Sequence, residues 1–499
     1  MFRMNRRHLL KSGLALGAGA SLGVRPRLGL GQGEAEGPRF LVVVGASGGG
    51  SIIDAALAVR ASECRAPDTV ACYPDAAVHD VADSPFRAVA WSGDAVGAIP
   101  APFATDQRGF FSKHASSLVV ATVEGTSVNH QVGQRRSITG NEAWAGRTLQ
   151  ECVAAQYGGG YPLPNVLLAT GTAFTERGRD ASLPSWAFGE TVADPRLWPL
   201  SLDGRKGIGG LSATALERAR RFRNQSFDAE SAFFRRRAGD PKLQRWAELR
   251  AERAPRLEQA ELIDRLLFLE ASAEFPLAEH GLEPSASAAR VRAAFPRYDV
   301  DPFEAQAALA FLLLKHGVSV TVTLAPSFSA TVNNDSGGGL SAEDLVNPPI
   351  AFDFSHQSHR ATQNVMWARV LGVVDRLVDL LASEPFGAEG ESFWDRSLVY
   401  IPTEFGRTKT RPAGAADFGS GHDLNNGVMM LSPLIEGGRV LGGVDPDRAR
   451  TFGWDLVDGR PQPGSRVAEA PIFAGILDAL GVETRGSGLP TVTALRRRT

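Results

Sequence analysis

The sequence predicts a doubly wound α/β/α fold, in which a mostly parallel β-sheet carries helices on both faces. Short β-branched apolar runs alternate with longer helical patterns, and clusters of polar residues follow several of the runs. Strands buried on both faces of a parallel sheet have this continuous apolar character. Because ligands of such sheets bind beyond the carboxyl ends of the strands, the polar clusters are the candidate functional site.

Each element rests on its own pattern. Predicted strands cover residues 39–44, 118–123, 165–169, 318–324, 397–401 and 427–431. Predicted helices cover residues 52–60, 141–155, 303–316, 362–383 and 470–480. Residues 212–296 are rich in Arg, Glu, Ala and Leu with helical periodicity and almost no strand pattern, which predicts an inserted helical subdomain.

Composition excludes several functional classes. The 499 residues are 43% hydrophobic and 22% charged with a net charge of −2, which is typical of a globular protein with a large core. A basic stripe with interleaved aromatic residues is missing from the sequence, so we expect no nucleic-acid partner. Beyond the N-terminal region the sequence has no uninterrupted apolar run of the length a membrane span needs, so we expect no integral membrane segment. The three cysteines fit no zinc-knuckle spacing.

The N-terminus resembles a bacterial twin-arginine export signal. Arg6 and Arg7 are followed by Leu-Leu-Lys and then by a weakly apolar, glycine-rich run over residues 12–24. This run is too short to span a bilayer as a helix, so it indicates targeting. The resemblance implies a signal peptide over residues 1–33, a mature chain over residues 34–499, the twin-arginine export machinery as a partner, and a periplasmic or secreted protein exported already folded.

Four polar clusters follow predicted strands. They are residues 45–54 (Gly-Ala-Ser-Gly-Gly-Gly-Ser-Ile-Ile-Asp), residues 125–130 (Gly-Thr-Ser-Val-Asn-His), residues 353–359 (Asp-Phe-Ser-His-Gln-Ser-His), and residues 403–408 (Thr-Glu-Phe-Gly-Arg-Thr) with residues 421–423 (Gly-His-Asp). Carboxylates and imidazoles at one sheet edge provide the ligands that divalent metals bind, and a bound metal lowers the pKa of a hydroxyl or water. A serine near a helix N-terminus also places an anion against free backbone amides.

These motifs, in this order, resemble the exported proteins grouped as domain of unknown function 1501, within the alkaline phosphatase/sulfatase-like superfamily. The most specific element is Glu-Phe-Gly-Arg-Thr after a strand. The resemblance implies an α/β/α sandwich of alkaline phosphatase-like type and one or two divalent metal ions (zinc, calcium or magnesium). It also implies a metal-dependent hydrolase or transferase that acts on phosphate or sulfate esters of a small molecule or polymer.

Residue by residue, the resemblance implies these roles. Ser127, or its neighbour Thr126, stands at the nucleophile position with His130 nearby. The implied metal ligands are Asp353, His356, Glu404, His422 and Asp54. The family commonly has an Asp inside the first glycine-rich turn, where this chain has Gly50 and Ser51. Either Asp54 replaces that ligand or the ligand is missing.

Structural interpretations stay open for the same residues. Ser127 and Asn129 are suited to cap the following helix. Glu404 at a buried strand end needs a partner, and Arg407 is the alternative to a metal. His359 is interpreted as structural. Gly45-Ala46-Ser47-Gly48-Gly49 also fits the nucleophile elbow of serine hydrolases.

Two alternatives to the metal-dependent enzyme therefore remain. One is a non-catalytic periplasmic binding or assembly protein that keeps the fold without a working metal site. The other is a serine esterase that uses Ser47.

Overall fold

The computed structural model describes most of the chain outside its N-terminal segment. The described residues are 37–93, 103–169, 172–202, 212–221, 231–241, 243–244, 257, 260–324, 352–387, 390–416 and 418–497. The segment interpreted as an export signal, residues 1–33, lies outside them, so its assignment stays a prediction. Among the described residues, no helix has both the length and the apolar character needed to cross a membrane.

The chain divides into two compact units. One comprises Glu34–Pro195 and Val291–Thr499, and the other includes Arg196–Arg290. In the second unit the described α-helices are short: α4 (Ala213–Arg221), α5 (Ala232–Arg237) and α6 (Leu262–Leu266). Helix α7 comprises Ala288–Ala294.

The larger unit is built on an eight-stranded sheet within the described residues. Its strands are β1 (Phe40–Val44), β5 (Leu118–Glu124), β6 (Asn165–Leu167), β7 (Glu190–Thr191), β8 (Thr321–Leu324), β9 (Ser397–Ile401), β12 (Asn425–Leu431) and β13 (Arg439–Leu441). Their order across the sheet is β13-β5-β12-β9-β1-β8-β6-β7. All pairs are parallel except those of β12, which is antiparallel to both β5 and β9. Successive strands lie on both sides of β1, as in a doubly wound sheet.

Smaller strands and the remaining helices complete this unit. The strands are β2 (Val78–Asp80), β3 (Arg87–Gly93), β4 (Phe103–Asp106), β10 (Gly406–Arg407), β11 (His422–Asp423), β14 (Gly443–Asp445), β15 (Arg450–Trp454) and β16 (Pro461–Gln462). The helices are α1 (Arg108–His114), α2 (His130–Thr139), α3 (Leu149–Tyr157), α8 (Pro302–Lys315), α9 (His359–Ala382) and α10 (Glu469–Ala479).

Helices cover the sheet in two groups. Helices α8 and α9 pack together, and α2, α3 and α10 pack together. Every residue of β1, β8 and β9 is buried, as expected where helices cover both faces. The predicted α/β class is therefore confirmed. Helix α8 begins where the Asp301 side chain accepts from the Phe303 amide at 3.0 Å, with a proline at its first position.

Two predicted helices are wrong or displaced. Residues 52–60 form only one 3-10 turn, Ile52–Asp54, because the Ala55 backbone adopts a non-helical φ of −138° and ψ of −115°. The helix predicted over residues 141–155 begins at Leu149, where Thr148 and Glu151 form a capping box. The segment before it holds positive φ angles at Asn141, Glu142 and Ala145, which belong to turns.

Candidate metal centre

Three histidine rings surround one carboxylate oxygen at the carboxyl edge of the sheet. The Nε2 atoms of His356, His130 and His422 lie 3.2, 3.4 and 3.5 Å from Oδ1 of Asp353. His130, Asp353 and His422 each offer a ligand atom within 4.8 Å of the others, so they form a group that could hold a metal ion. His356 lies beside this group, with its Nε2 2.9 Å from Nε2 of His422.

Different elements deliver these side chains to one place. His130 is the first residue of α2, which follows β5, and the Asn129 side chain caps that helix by accepting from the Val132 amide at 3.1 Å. Asp353 and His356 belong to a 3-10 helix, Phe352–His356. His422 lies on β11, where it pairs with Arg407 of β10.

The tautomers of two of the rings follow from their other nitrogen. His130 Nδ1 lies 2.6 Å from Oε1 of Glu404, and His422 Nδ1 lies 2.8 Å from the carbonyl oxygen of Val128. A carboxylate and a carbonyl only accept hydrogen bonds, so each Nδ1 carries the proton. The Nε2 atoms of both rings face Asp353, and in the neutral form of each ring Nε2 keeps the lone pair that a metal binds.

Glu404 supports His130 rather than facing the shared centre. Its Oε1 accepts from the Gly48 amide at 2.7 Å as well as from His130, and its Oε2 accepts from the Gln134 side chain. The carboxylate is buried, so these donors compensate its desolvation. Three donors thus bind the oxygens of Glu404 in this structure, and its expected role as a ligand stays a prediction.

Arg407 pairs with Asp353 and not with Glu404. Its guanidinium is fully buried and donates to Asp353 Oδ1 at 2.8 Å. It also donates to the carbonyl oxygens of Ser420, Gly49 and Gly48, so protein acceptors surround it. The ion pair between Glu404 and Arg407 that the sequence left open is replaced by this one.

The first glycine-rich turn approaches the centre through its backbone. Gly48 has a φ of +96°, and a Cβ atom there would lie 2.3 Å from the Asp353 amide nitrogen. Only glycine fits that contact and that φ without strain. The turn thus contributes the Gly48 amide to Glu404.

Asp54 lies in a separate buried cluster. It is fully buried and bound by Lys409, by the Tyr73 hydroxyl at 2.9 Å and by His359 Nε2 at 3.2 Å. Burial raises the pKa of Asp54, but the charges of Lys409 and His359 outweigh this and hold it well below its usual range. Asp54 is therefore not placed as a ligand beside Asp353, because Lys409 already neutralises it.

The surroundings raise the pKa of His130 and lower the pKa values of His422 and Asp353. Burial alone lowers the pKa of His130, but its hydrogen bond to Glu404 and the charges of Glu404 and Asp353 raise the net value. Burial lowers the pKa of His422, aided by the charge of Arg407. Burial raises the pKa of Asp353, yet hydrogen bonds from His356 and Arg407 bring it well below its usual range.

The candidate nucleophiles occupy different surroundings. The Thr126 hydroxyl lies 2.8 Å from Glu469 and 2.9 Å from Arg136, which both engage it. The Ser127 hydroxyl accepts from the Asn129 amide at 3.1 Å. Ser127 also precedes Val128, whose carbonyl oxygen holds His422, so it belongs to the loop at the centre.

Ser47 is poorly placed for an esterase. It is 5% exposed, and its hydroxyl has no hydrogen-bond partner among the described residues. A serine nucleophile needs an adjacent base, which this environment does not supply.

Sequence reasoning missed Gln134 and Lys409. Gln134 lies four residues after His130, a spacing that puts both side chains on one helix face. Lys409 follows Arg407 by two residues, and nothing in the sequence indicates its buried contact with Asp54.

No protein-family model and no curated protein matches this sequence. Among solved structures, the crystal structure of Ps i-CgsB in complex with k-i-k-neocarrahexaose is similar at 11% identity and a TM-score of 0.33. The crystal structure of Ps i-CgsB itself is similar at 10% identity and a TM-score of 0.33. In each case the similarity covers 92% of this chain and 76% of the other. At this level the similarity supports no inference about the site.

Proposed function

We propose that this protein is a metal-dependent hydrolase of phosphate or sulfate esters, with the metal held by His130, Asp353 and His422 and assisted by His356. The observation that carries the proposal is the pair of rings fixed at Nδ1, whose Nε2 atoms converge on one carboxylate oxygen. When both rings are neutral, a cation at their centre attracts both Nε2 lone pairs and the negative charge of Asp353.

The donor set selects among metals. Calcium and magnesium prefer oxygen ligands, whereas imidazole nitrogens with one carboxylate suit zinc and its neighbours in the transition series. The His130, Asp353 and His422 donors leave room for the exposed His356 or for substrate as a fourth ligand. We therefore propose zinc as the resident ion.

A bound metal would lower the pKa of a nearby hydroxyl and neutralise negative charge on the ester. The residues of the chain then have separate roles. Ser127 is the proposed nucleophile, because the Asn129 amide donates to its oxygen and favours the deprotonated form. Thr126 is the weaker candidate, since Glu469 and Arg136 already bind its hydroxyl. His130 holds its proton on Nδ1 against Glu404.

The substrate class and the compartment rest on resemblance. The order of the Gly-Thr-Ser, Asp-x-x-His and Glu-Phe-Gly-Arg-Thr motifs supports an ester of phosphate or sulfate. The twin-arginine-like start supports a periplasmic or secreted enzyme, exported after folding with its metal already bound.

The test combines metal analysis with turnover. The purified protein should contain about one equivalent of zinc and cleave an aryl phosphate or an aryl sulfate. His422→Gln and Asp353→Asn should lose zinc and activity together. His79→Gln, which changes a histidine on β2 outside the centre, is the matched control and should keep both. A wild-type protein that binds no zinc and hydrolyses neither ester contradicts the proposal.

The non-catalytic alternative also has a specific observation in its favour. Lys409 neutralises Asp54, and Arg407 binds Asp353, so fixed protein cations accompany two carboxylates that the resemblance assigns to metals. This alternative predicts that the protein binds no zinc and hydrolyses no phosphate or sulfate ester. An esterase that uses Ser47 predicts instead activity on carboxyl esters that resists chelators.

A further inference from the structure

A buried histidine lies behind the metal centre and contacts the loop that carries His422. His359 is the first residue of α9 and is fully buried. Its Nδ1 lies 2.8 Å from the Ser420 hydroxyl, and its backbone amide donates to the Phe418 carbonyl oxygen at 2.7 Å. The ring and the backbone of His359 therefore both hold the segment that precedes His422.

The other side of the His359 ring is anchored in the buried cluster around Asp54. Its Nε2 lies 3.2 Å from Asp54 Oδ1 and 3.5 Å from the Lys409 ammonium. Lys409 also donates to the Ser51 hydroxyl at 2.7 Å. Since Asp54, Lys409 and Ser51 are all buried, the ring has little freedom to turn.

Ser420 connects His359 with the residues that surround Asp353. Its amide and its hydroxyl both donate to the Ser355 carbonyl oxygen, at 2.8 and 3.2 Å. Ser355 lies in the same 3-10 helix as Asp353. The Ser420 carbonyl oxygen also accepts from Arg407 at 3.3 Å, and Arg407 donates to Asp353.

The contacts of the Ser420 hydroxyl identify the ring nitrogen that matters. Nδ1 of His359 is hydrogen-bonded to this hydroxyl, which also lies 3.2 Å from the Ser355 carbonyl oxygen. Loss of the bond to Nδ1 frees the Ser420 hydroxyl to rotate and loosens its contact with Ser355.

We propose that His359 is a positioning residue for the metal centre: through Nδ1 and Ser420 it sets the distance between the His422 loop and the helix that carries Asp353 and His356. The inference rests on the proposed function in that the positioned residues are metal ligands. His359 itself touches neither the metal nor the substrate.

Two substitutions of similar size test the roles of the two ring nitrogens of His359 separately. His359→Asn places an amide donor near the Nδ1 position and keeps the bond to Ser420. His359→Gln places its amide near the Nε2 position, keeps the contact with Asp54 and loses the bond to Ser420. Zinc affinity is measured by competition with a chromophoric chelator. The ligand-field spectrum of the cobalt-loaded protein reports the coordination geometry.

Removal of a residue that orients metal ligands typically weakens metal binding about 10–100-fold. We therefore expect His359→Gln and Ser420→Ala to weaken zinc binding at least about tenfold and to alter the cobalt spectrum. His359→Asn should stay within about threefold of the wild type, with an unchanged spectrum. Equal losses in the Asn and Gln variants, or no loss in either, overturn the proposal.

A second measurement needs no metal. The ring signals of His130, His356 and His422 in zinc-free protein, assigned by substitution among the nine histidines, report their positions relative to Asp353 by nuclear magnetic resonance. They should move in His359→Gln and Ser420→Ala and stay in place in His359→Asn. Unmoved signals in His359→Gln contradict the positioning role, even if the wild type binds no zinc and the proposed function fails.

Discussion

Glu404 and Asp353 lie at opposite nitrogens of the His130 ring. Oε1 of Glu404 is 2.6 Å from Nδ1, and Oδ1 of Asp353 is 3.4 Å from Nε2. The residue expected to bind the metal thus orients one that can. A carboxylate on Nδ1 also makes the ring more basic, which strengthens its bond to a metal once the ring is neutral.

Replacement of this carboxylate should weaken metal binding without abolishing it. We expect Glu404→Gln to reduce zinc affinity about 10–100-fold, because all the ligands remain but His130 loses its charged partner. Asp353→Asn should lose more, since it alters a ligand. Glu304→Gln is a matched control, because Glu304 is also a buried carboxylate but pairs with Arg376, outside the centre. If Glu404→Gln binds zinc as tightly as the control in chelator competition, the supporting role is wrong.

The raised pKa of His130 gives the zinc-free protein a definite pH dependence. A histidine whose folded pKa exceeds its unfolded value, about 6.5, contributes stability below the unfolded value and loses it as pH rises through the folded value. Unfolding of chelator-treated protein should therefore show this contribution falling as pH rises above the unfolded value of about 6.5. Glu404→Gln should flatten that slope. Zinc affinity should rise over the same range, because zinc binds the neutral ring.

An alanine at position 48 should damage the centre through the backbone. The Cβ atom would meet the Asp353 amide nitrogen at 2.3 Å, at a φ of +96°. Gly464 is a control with a similar φ of +85° and nothing within 4 Å of the added atom. Gly48→Ala should reduce the free energy of unfolding by about 1–3 kcal/mol more than Gly464→Ala, because only the former is overpacked. Gly48→Ala should also weaken zinc binding. If a denaturant titration shows that both variants lose the same free energy of unfolding, the close contact between Gly48 and the Asp353 amide is contradicted.

The elements that sequence predicted well are those defined by local pattern. The run Phe40–Val44 is continuous and β-branched, and the 24-residue helix His359–Ala382 has a long amphipathic repeat. The helix predicted over residues 52–60 was wrong because a distant contact determines the local conformation. Asp54 is buried and binds Lys409, which lies far from it in the sequence. Periodicity contains no information about such a contact.

The candidate site likewise has one part that the sequence predicted and one part that it did not. Motif order brought His130, Asp353, His356 and His422 into consideration, and the structure places them together. The part played by Glu404 could not be read from the sequence, since it depends on Gly48 and Gln134, which approach from other elements. Only three-dimensional contacts distinguish a ligand from a residue that supports one.

Export provides a prediction that is independent of the site. Changing Arg6 and Arg7 together to lysine should retain the full-length precursor in the cytoplasm, because the weakly apolar run that follows suits the twin-arginine route. Fractionation of the expressing bacterium with an antibody to the mature chain measures this. Substitution of Arg25 and Arg27 by lysine, beyond the apolar run, is the control. Undiminished periplasmic yield from the Arg6/Arg7 variant would contradict the export assignment.

Ser127→Ala tests the chemistry most directly. If the Ser127 hydroxyl attacks the ester, its removal should lower turnover of an aryl phosphate or sulfate by at least about 100-fold and leave zinc content unchanged. The hydroxyl makes one local hydrogen bond, from the Asn129 amide, so the fold should tolerate the change. Thr126→Val is the matched control at the neighbouring hydroxyl, and it should retain most of the activity. If Ser127→Ala keeps both zinc and turnover, Ser127 is not the nucleophile and serves only the turn before α2.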